Sequence, residues 1–568
     1  MEYKERYREW LKNKYIDKET KSEILKLTDE EVKESFYSDL EFGTGGMRGI
    51  MGVGTNRINK YTIAKATQGL ANFIKSKQIK YPSVAICYDC RENSRYFAEV
   101  ASKVLAGNDI KAYLFKELRP TPMLSYAVRY LEATAGIIIT ASHNPPEYNG
   151  YKVYWDYGCQ MLPEMSEKLI DEIDKLKFKD IKYSDFKKEV EKENIVEILE
   201  IIEDSFIEKS KTLSINEDVD KSIKIVYTPL HGTGLIPIKR LLEEMEYENF
   251  HIVEEQMKPD GSFSTVESPN PEDEKSFELA IKKAKEVDAE LILSTDPDGD
   301  RLGVACKDKD GKYKLLTGNE TGALFIFYIL ESLKEKNKIQ ENSTVIKTIV
   351  TSELGRVIAN NYGVDCEDTL TGFKFIGEKI EEYSKTHEKN YIFGYEESAG
   401  YLIGEYVRDK DAVSAALIAS EMAGYFKNKG SSLNEELEKL YEEYGYYLNE
   451  LQNIKLEGIE GKEKIEKIIN TFRFENMNDY FDGEIITKND YKEGISHNLI
   501  RNESEMIQLP KSNVLKYIFK DGSNFVVRPS GTEPKLKIYY SVVDTTLEKS
   551  KEKYKNIYKK VNEIIDKV

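Results

Sequence analysis

The segment Thr140-Ala141-Ser142-His143-Asn144-Pro145 follows directly on an apolar run, Ile137-Ile138-Ile139. A serine at a strand end, with a proline-stiffened turn behind it, holds its hydroxyl where a substrate can reach it. The bland alternative is a turn serine bonded to its own backbone. A hydrolase elbow does not fit, because glycine is missing at both flanking positions of the G-x-S-x-G pattern. A second segment, Asp296-Pro297-Asp298-Gly299-Asp300-Arg301, also leaves a strand-like run. Three carboxylates at alternate positions of a tight loop can converge on one hard cation through oxygen. Crowding them without a cation raises their mutual repulsion. An EF-hand is excluded: its sixth and twelfth loop positions, normally Gly and Glu, hold Arg301 and Lys307.

A third segment, Arg528-Pro529-Ser530-Gly531-Thr532-Glu533-Pro534-Lys535, lies between two strand-like runs. A guanidinium, two hydroxyls and Gly-exposed backbone amides are the ingredients of a phosphate cradle. The segment Phe393-Gly394-Tyr395-Glu396-Glu397-Ser398 sets carboxylate and hydroxyl groups at a strand end, which suits sugar hydroxyls. Two other groups fail. Cys87-Tyr88-Asp89-Cys90 has no second pair or nearby His to complete a zinc set. In Gly43-Thr44-Gly45-Gly46-Met47-Arg48-Gly49, Arg48 occupies the third Gly position of a dinucleotide loop. That stretch reads instead as an arginine presented on a flexible loop.

The elements that must position these groups follow from periodicity. Residues 1–38 carry Tyr, Leu and Ile at helical spacing among Lys and Glu, an amphipathic helical arm. Residues 63–76 read as a helix, and 84–87, 137–139, 223–227, 291–293, 345–349 and 391–393 as strands. Helical patterns at 237–245 and 276–285 stand between some of them. Alternation of strand, polar loop and helix predicts α/β units with parallel sheets, whose active loops leave the C-terminal strand ends. The charged stretch 175–221 is helical in composition and carries a domain boundary. Others fall at 307–314 and 427–436, dividing the chain into 1–205, 206–312, 313–432 and 433–568.

With 568 residues, the chain is too long for a single core. A net charge of −18 disfavours nucleic acid and anionic lipid as partners. An anionic substrate then requires local Arg, Lys or metal to overcome that field. No stretch of about 18 apolar residues, the length of a membrane span, is present. An N-terminus lacking an apolar signal core and five scattered cysteines predict a cytoplasmic protein with free thiols.

In order and in kind, these segments resemble the α-D-phosphohexomutase family, which includes phosphoglucomutases and phosphomannomutases. The resemblance runs from about residue 40 to 559. It is supported by 42–49, Asp89-x-Arg91-x-x-Ser94, Asn149-Gly150-Tyr151-Lys152 and Thr371-Gly372-Phe373-Lys374. Thr228-Pro229-Leu230-His231-Gly232 and Arg408-Asp409-Lys410-Asp411 are similar to the longer branch, with bacterial α-phosphoglucomutases and animal phosphopentomutase-like enzymes. The family implies an α/β fold of four domains around a central cleft, three related α/β domains plus a C-terminal α+β domain. It also implies a phosphoserine at Ser142, and Mg2+ on Asp296, Asp298, Asp300 and the phosphoserine. Arg48 and Lys152 would manage the sugar hydroxyl's proton. His143, Arg301, Lys374, Glu396, Ser398 and Lys410 would bind substrate, and Arg528, Ser530, Gly531 and Thr532 would hold its non-reacting phosphate.

The activity so implied is interconversion of α-glucose 1-phosphate and glucose 6-phosphate, with glucose 1,6-bisphosphate as intermediate and activator, by a monomer or homodimer. Phosphomannomutase and phosphopentomutase remain alternatives, because Phe373 and Lys374 follow Thr-Gly where some mannose/glucose relatives carry a His. A sugar-phosphate phosphatase is the alternative of another class. The full cradle at Arg528 argues against it, since retaining an intermediate requires a second phosphate grip.

Overall fold

Every residue of the strands Ser83–Tyr88 and Ala135–Ile139 is buried. Strands apolar on both faces need helices against them, and Ser94–Ala106 and Thr121–Tyr130 pack on both. In this computed structural model, which describes residues 2–43, 45–456, 458–530 and 535–568, the two strands run parallel. They form the centre of a six-stranded sheet. Its order is Gly46–Ile50, Tyr148–Trp155, Ala135–Ile139, Ser83–Tyr88, Lys111–Phe115, Ile195–Ile198.

The sheet is mixed rather than purely parallel. Tyr148–Trp155 runs antiparallel to both of its neighbours. The connection 140–147 is too short for a crossover, so the chain can only double back. The same happens in a five-stranded sheet, where Leu302–Lys307 returns antiparallel to Leu291–Thr295 across residues 296–301. The serine loop and the carboxylate loop are thus equivalent reversals at the C-terminal ends of parallel strands.

The chain divides into two compact units, Met1–Gly318 with Phe373–Gly430, and Asn319–Gly372 with Ser431–Val568. The first holds both sheets above, the antiparallel pair Asn390–Glu396 and Gly400–Ile403, and the N-terminal arm. The arm is three helices, Glu2–Lys12, Lys18–Ile24 and Asp29–Phe36. Trp10, Ile24 and Phe36 gather against Tyr61, whose hydroxyl donates to Asp17 over 2.6 Å. The second unit holds the parallel pair Ser343–Thr348 and Asp365–Thr369. It also holds a seven-stranded antiparallel sheet that packs with the helices Gly458–Phe474 and Leu547–Asp566.

Two expectations need correction. Gly46–Ile50 is a strand, so Arg48 stands on a sheet edge and not on a flexible loop. The stretch 175–221 is not all helical: Ile195–Ile198 pairs parallel with Lys111–Phe115. Four residues with only Ile195 and Ile198 buried, amid charges, leave too short a pattern to read. Residues 308–312 form the turn of a hairpin between Leu302–Lys307 and Tyr313–Leu316.

Candidate active site

Beyond the strand Ala135–Ile139, Ser142 takes a left-handed backbone with φ of 50°. A non-glycine residue there is strained by roughly 1–2 kcal/mol, so neighbours must hold it. Thr140 Oγ1 accepts from the Ser142 amide over 2.8 Å. From behind, the buried Arg91 guanidinium donates to the carbonyls of Ser142 at 2.6 Å, Pro145 at 2.8 Å, Tyr148 at 2.9 Å, and also Asn144. Asp89 fixes Arg91 in turn, accepting from its amide over 2.9 Å and facing its Nε at 3.3 Å. The Ser142 hydroxyl thereby points at Asp296, donating to Oδ2 over 2.6 Å, with His143 Nδ1 at 3.2 Å.

The carboxylate loop is wound tightly. Asp296 Oδ1 accepts from the amides of Asp300 and Arg301, each over 3.1 Å. Gly299 takes φ of 62°, and a Cβ there would lie 2.8 Å from Pro120 Cβ. Thr121 braces Asp298 twice, its amide donating to the carbonyl over 2.8 Å and its hydroxyl to Oδ2 over 3.1 Å. Asp296, Asp298 and Asp300 are all buried and offer oxygens within 4.8 Å of one another. Asp298 Oδ1 and Asp300 Oδ1 are buried without a hydrogen-bond partner. Burial, with Asp298 and Asp300 alongside, pushes the Asp296 carboxyl well above the ordinary range. Oxygen-only donors, unsatisfied lone pairs and crowded charge together fit a hard divalent cation.

Basic side chains rim this cluster. Lys152 Nζ lies 2.9 Å from Asp298 Oδ2 and 3.9 Å from Asp300. Lys410 Nζ lies 3.2 Å from both Asp300 and Asp409 and 4.0 Å from Glu396. Burial disfavours the Lys410 ammonium, but Asp300, Asp409 and Glu396 hold it charged well beyond the ordinary lysine value. Arg301 faces Glu272 at 3.4 Å and Asp300 at 3.9 Å. Its backbone bridges to Gly400, tying the carboxylate loop to the hairpin that ends its first strand at Glu396. Ser398 is half-buried in the turn of that hairpin. Arg48 is exposed and donates to Asn144 Oδ1 over 2.8 Å. It lies one strand away from Lys152, Gly46 pairing with Lys152 and Arg48 with Gly150. Burial, with Arg301 and Arg48 near, pushes the His143 imidazole well below its ordinary value, leaving it neutral.

The first unit thus brings together Ser142, His143, Arg48, Lys152, the three aspartates, Arg301, Glu396 and Lys410. Lys374 opens the helix Phe373–Thr386, its carbonyl accepting from Cys159 Sγ over 3.3 Å. In the second unit Arg528 is the last residue but one of the strand Asn524–Pro529, opposite Lys537, and the Ser530 amide donates to the Lys535 carbonyl over 2.7 Å. Gly531 and Thr532 lie outside the described residues. Cys87 is buried and bonded to the Arg119 carbonyl, and burial pushes its thiol up to about 12, which suits no redox role. Sequence reasoning assigned no role to Arg91 or Thr121. The Asp-x-Arg-x-x-Ser spacing was the available signal for the first, and nothing local marked the second.

Comparison with known proteins gives four matching family profiles in chain order. They are the phosphoglucomutase/phosphomannomutase alpha/beta/alpha domains I over 39–180, II over 204–311 and III over 317–444, and the C-terminal domain over 457–550. The phosphoglucomutase of Staphylococcus epidermidis is 38% identical over 538 residues, 94% of this chain and 96% of that protein. That of Staphylococcus haemolyticus is 38% identical over 528 residues, 93% and 94% of the two chains. Among solved structures, the open form of the Paramecium phosphoglucomutase pp63/parafusin superposes with a TM-score of 0.70 at 18% identity, over 93% of this chain and 96% of that one. A phosphoglucomutase/phosphomannomutase family protein from Burkholderia thailandensis gives 0.68 at 17%, over 92% and 97%. At these identities the superpositions speak for the fold.

Proposed function

The chain belongs to the phosphoglucomutase/phosphomannomutase family, and from that premise we propose how its residues interconvert α-glucose 1-phosphate and glucose 6-phosphate. It is an enzyme, an isomerase that works by phosphoryl transfer. The observation that carries the reading is the Ser142 hydroxyl bonded at 2.6 Å to one of three clustered, buried aspartates.

Phosphoryl transfer needs little covalent help, only positioning and neutralisation of charge on the moving group. Asp296, Asp298 and Asp300, with a phosphorylated Ser142, would hold Mg2+, which when bound neutralises charge on the phosphoryl oxygens. Arg301 would pair with the same phosphoryl group. In the first half-reaction the P–O bond to Ser142 breaks as one forms to the sugar's free hydroxyl. That hydroxyl's proton ends on Ser142 Oγ, and Arg48 and Lys152 would manage its transfer. The bisphosphate then turns round, and the reverse transfer regenerates phosphoserine. His143, Lys374, Glu396, Ser398 and Lys410 would grip the sugar phosphate. Arg528, Ser530, Gly531 and Thr532 would hold its other phosphate.

Glucose 1,6-bisphosphate is the proposed intermediate and activator, and the proposed location is the cytoplasm, as a monomer or homodimer. Among the described residues no helix is long and apolar enough to cross a membrane. We further propose the domain limits 1–205, 206–312, 313–432 and 433–568. Parallel coupled assays with glucose, mannose and ribose 1-phosphates test the substrate. Faster turnover of either rival sugar would replace glucose in this proposal.

A further inference from the structure

Two motifs have no part in the chemistry above, the His231 segment and the Arg91 segment, and both touch residues 256–268. Residues 257–268 carry no strand or α-helix, so something outside must fix their path. His231 does so from a left-handed backbone, φ 63°. Its buried imidazole has Nδ1 at 2.9 Å from the Lys258 carbonyl and Nε2 at 2.8 Å from Thr265 Oγ1. One neutral ring can donate at Nδ1 and accept at Nε2, so it ties both ends of the stretch.

Between those ties, Asp260 accepts from the amides of Ser262 and Ser264 over 2.9 and 3.0 Å, closing a turn. That turn is pressed onto the Arg91 segment. A Cβ on Gly261 would come within 2.6 Å of the Glu92 amide nitrogen and 2.9 Å of the Cys90 carbonyl. The buried Phe263 ring lies over the Arg91 guanidinium, 4.9 Å from its centroid to the guanidinium carbon. At the far end Ser268 Oγ donates to the His143 carbonyl over 3.2 Å. The stretch is a strap. It covers the arginine that gathers four carbonyls of the serine loop and touches the loop itself beside Ser142.

We infer that His231 and Phe263 are positioning residues for phosphoryl transfer: through the strap they hold Arg91, and through Arg91 the left-handed turn that aims Ser142 at Asp296. This rests on Ser142 being the phosphorylated residue. A buried phenylalanine and a bonded histidine would also be expected of simple packing, so the test must separate the two. Loosening the strap should leave substrate binding intact and misplace the reacting oxygen, and a misplacement of about 1 Å costs on the order of a hundredfold in rate.

The experiment uses the full chain with three variants: Phe263→Leu, which keeps apolar volume but removes the ring face; His231→Asn, which tolerates the left-handed backbone but cannot reach both ties; and the double variant. Each is measured for kcat and KM with glucose 1-phosphate, for Tm, and for the phosphoryl mark by intact mass. Each single variant should lose about tenfold or more in kcat with KM within about twofold, and Tm should fall by only a few degrees. The double variant should lose little beyond the worse single, because both act through Arg91. Folded variants with unchanged kcat, or losses appearing only in KM, would overturn the inference. The parent reading fails differently: a phosphoryl mark persisting in Ser142→Ala would displace the nucleophile itself, whatever the strap does.

Discussion

Lys516 Nζ donates to Glu353 Oε1 over 2.9 Å, and Lys347, fully buried, reaches the same oxygen at 3.2 Å. The two lysines come from strands of different sheets, Leu515–Phe519 and Ser343–Thr348, so one carboxylate joins them. Lys516 also donates to the Ile349 carbonyl over 3.1 Å. Burial opposes ionisation of Glu353, yet Lys347, Lys516 and Arg356 hold its carboxyl far below the ordinary range.

Removing that carboxylate takes from buried Lys516 its carboxylate partner, a loss that typically costs about 3–5 kcal/mol, while Lys347 keeps Asp368 at 2.9 Å. Glu353→Gln should therefore destabilise the protein by roughly that amount near pH 7. Because the folded carboxyl is depressed, its contribution is complete above the unfolded value of about 4.3 and fades as pH falls from there toward the folded one. Urea titrations of wild type and variant at pH 7 and near pH 4 should show the gap narrowing in acid. A gap that widens would contradict the assignment.

Ser142→Ala should lose turnover by roughly 10⁴-fold or more, as loss of a nucleophile does. After incubation with glucose 1,6-bisphosphate, wild type should show a phosphoryl mark by intact mass and Ser142→Ala should show none. A mark that survives would move the nucleophile elsewhere.

Oxygen-only ligation favours Mg2+ over softer metals. EDTA should stop activity and Mg2+ restore it. Asp298→Asn should weaken Mg2+ activation by about tenfold or more while lowering the rate. Full activity after exhaustive chelation would remove the metal from the mechanism.

Arg528 tests the proposed second phosphate grip. A charge-assisted hydrogen bond contributes roughly 1.5–3 kcal/mol, so Arg528→Ala should lower kcat/KM about tenfold to a hundredfold. The loss should be alike in both directions, with more glucose 1,6-bisphosphate released. Unchanged efficiency without extra bisphosphate would place that grip on other residues.

Local order along the chain was enough to pick out the candidate groups. A serine just past three isoleucines, carboxylates at alternate positions of 296–300 and Arg528 between two strand-like runs are statements about spacing, which the backbone preserves. What spacing cannot express is which strand ends come together. Ser142 and Asp296 are 154 residues apart and meet because two separate sheets set their reversal loops face to face. Likewise, Arg48 became a sheet-edge residue because a five-residue segment paired with Tyr148–Trp155, a choice its glycines did not signal. Thr121 and Phe263 look ordinary in sequence, and Arg91 shows there only through its Asp-x-Arg-x-x-Ser spacing. Only the packed structure gives them partners, since buried hydrogen bonds and ring contacts are set by strand order and loop approach and not by neighbours along the chain.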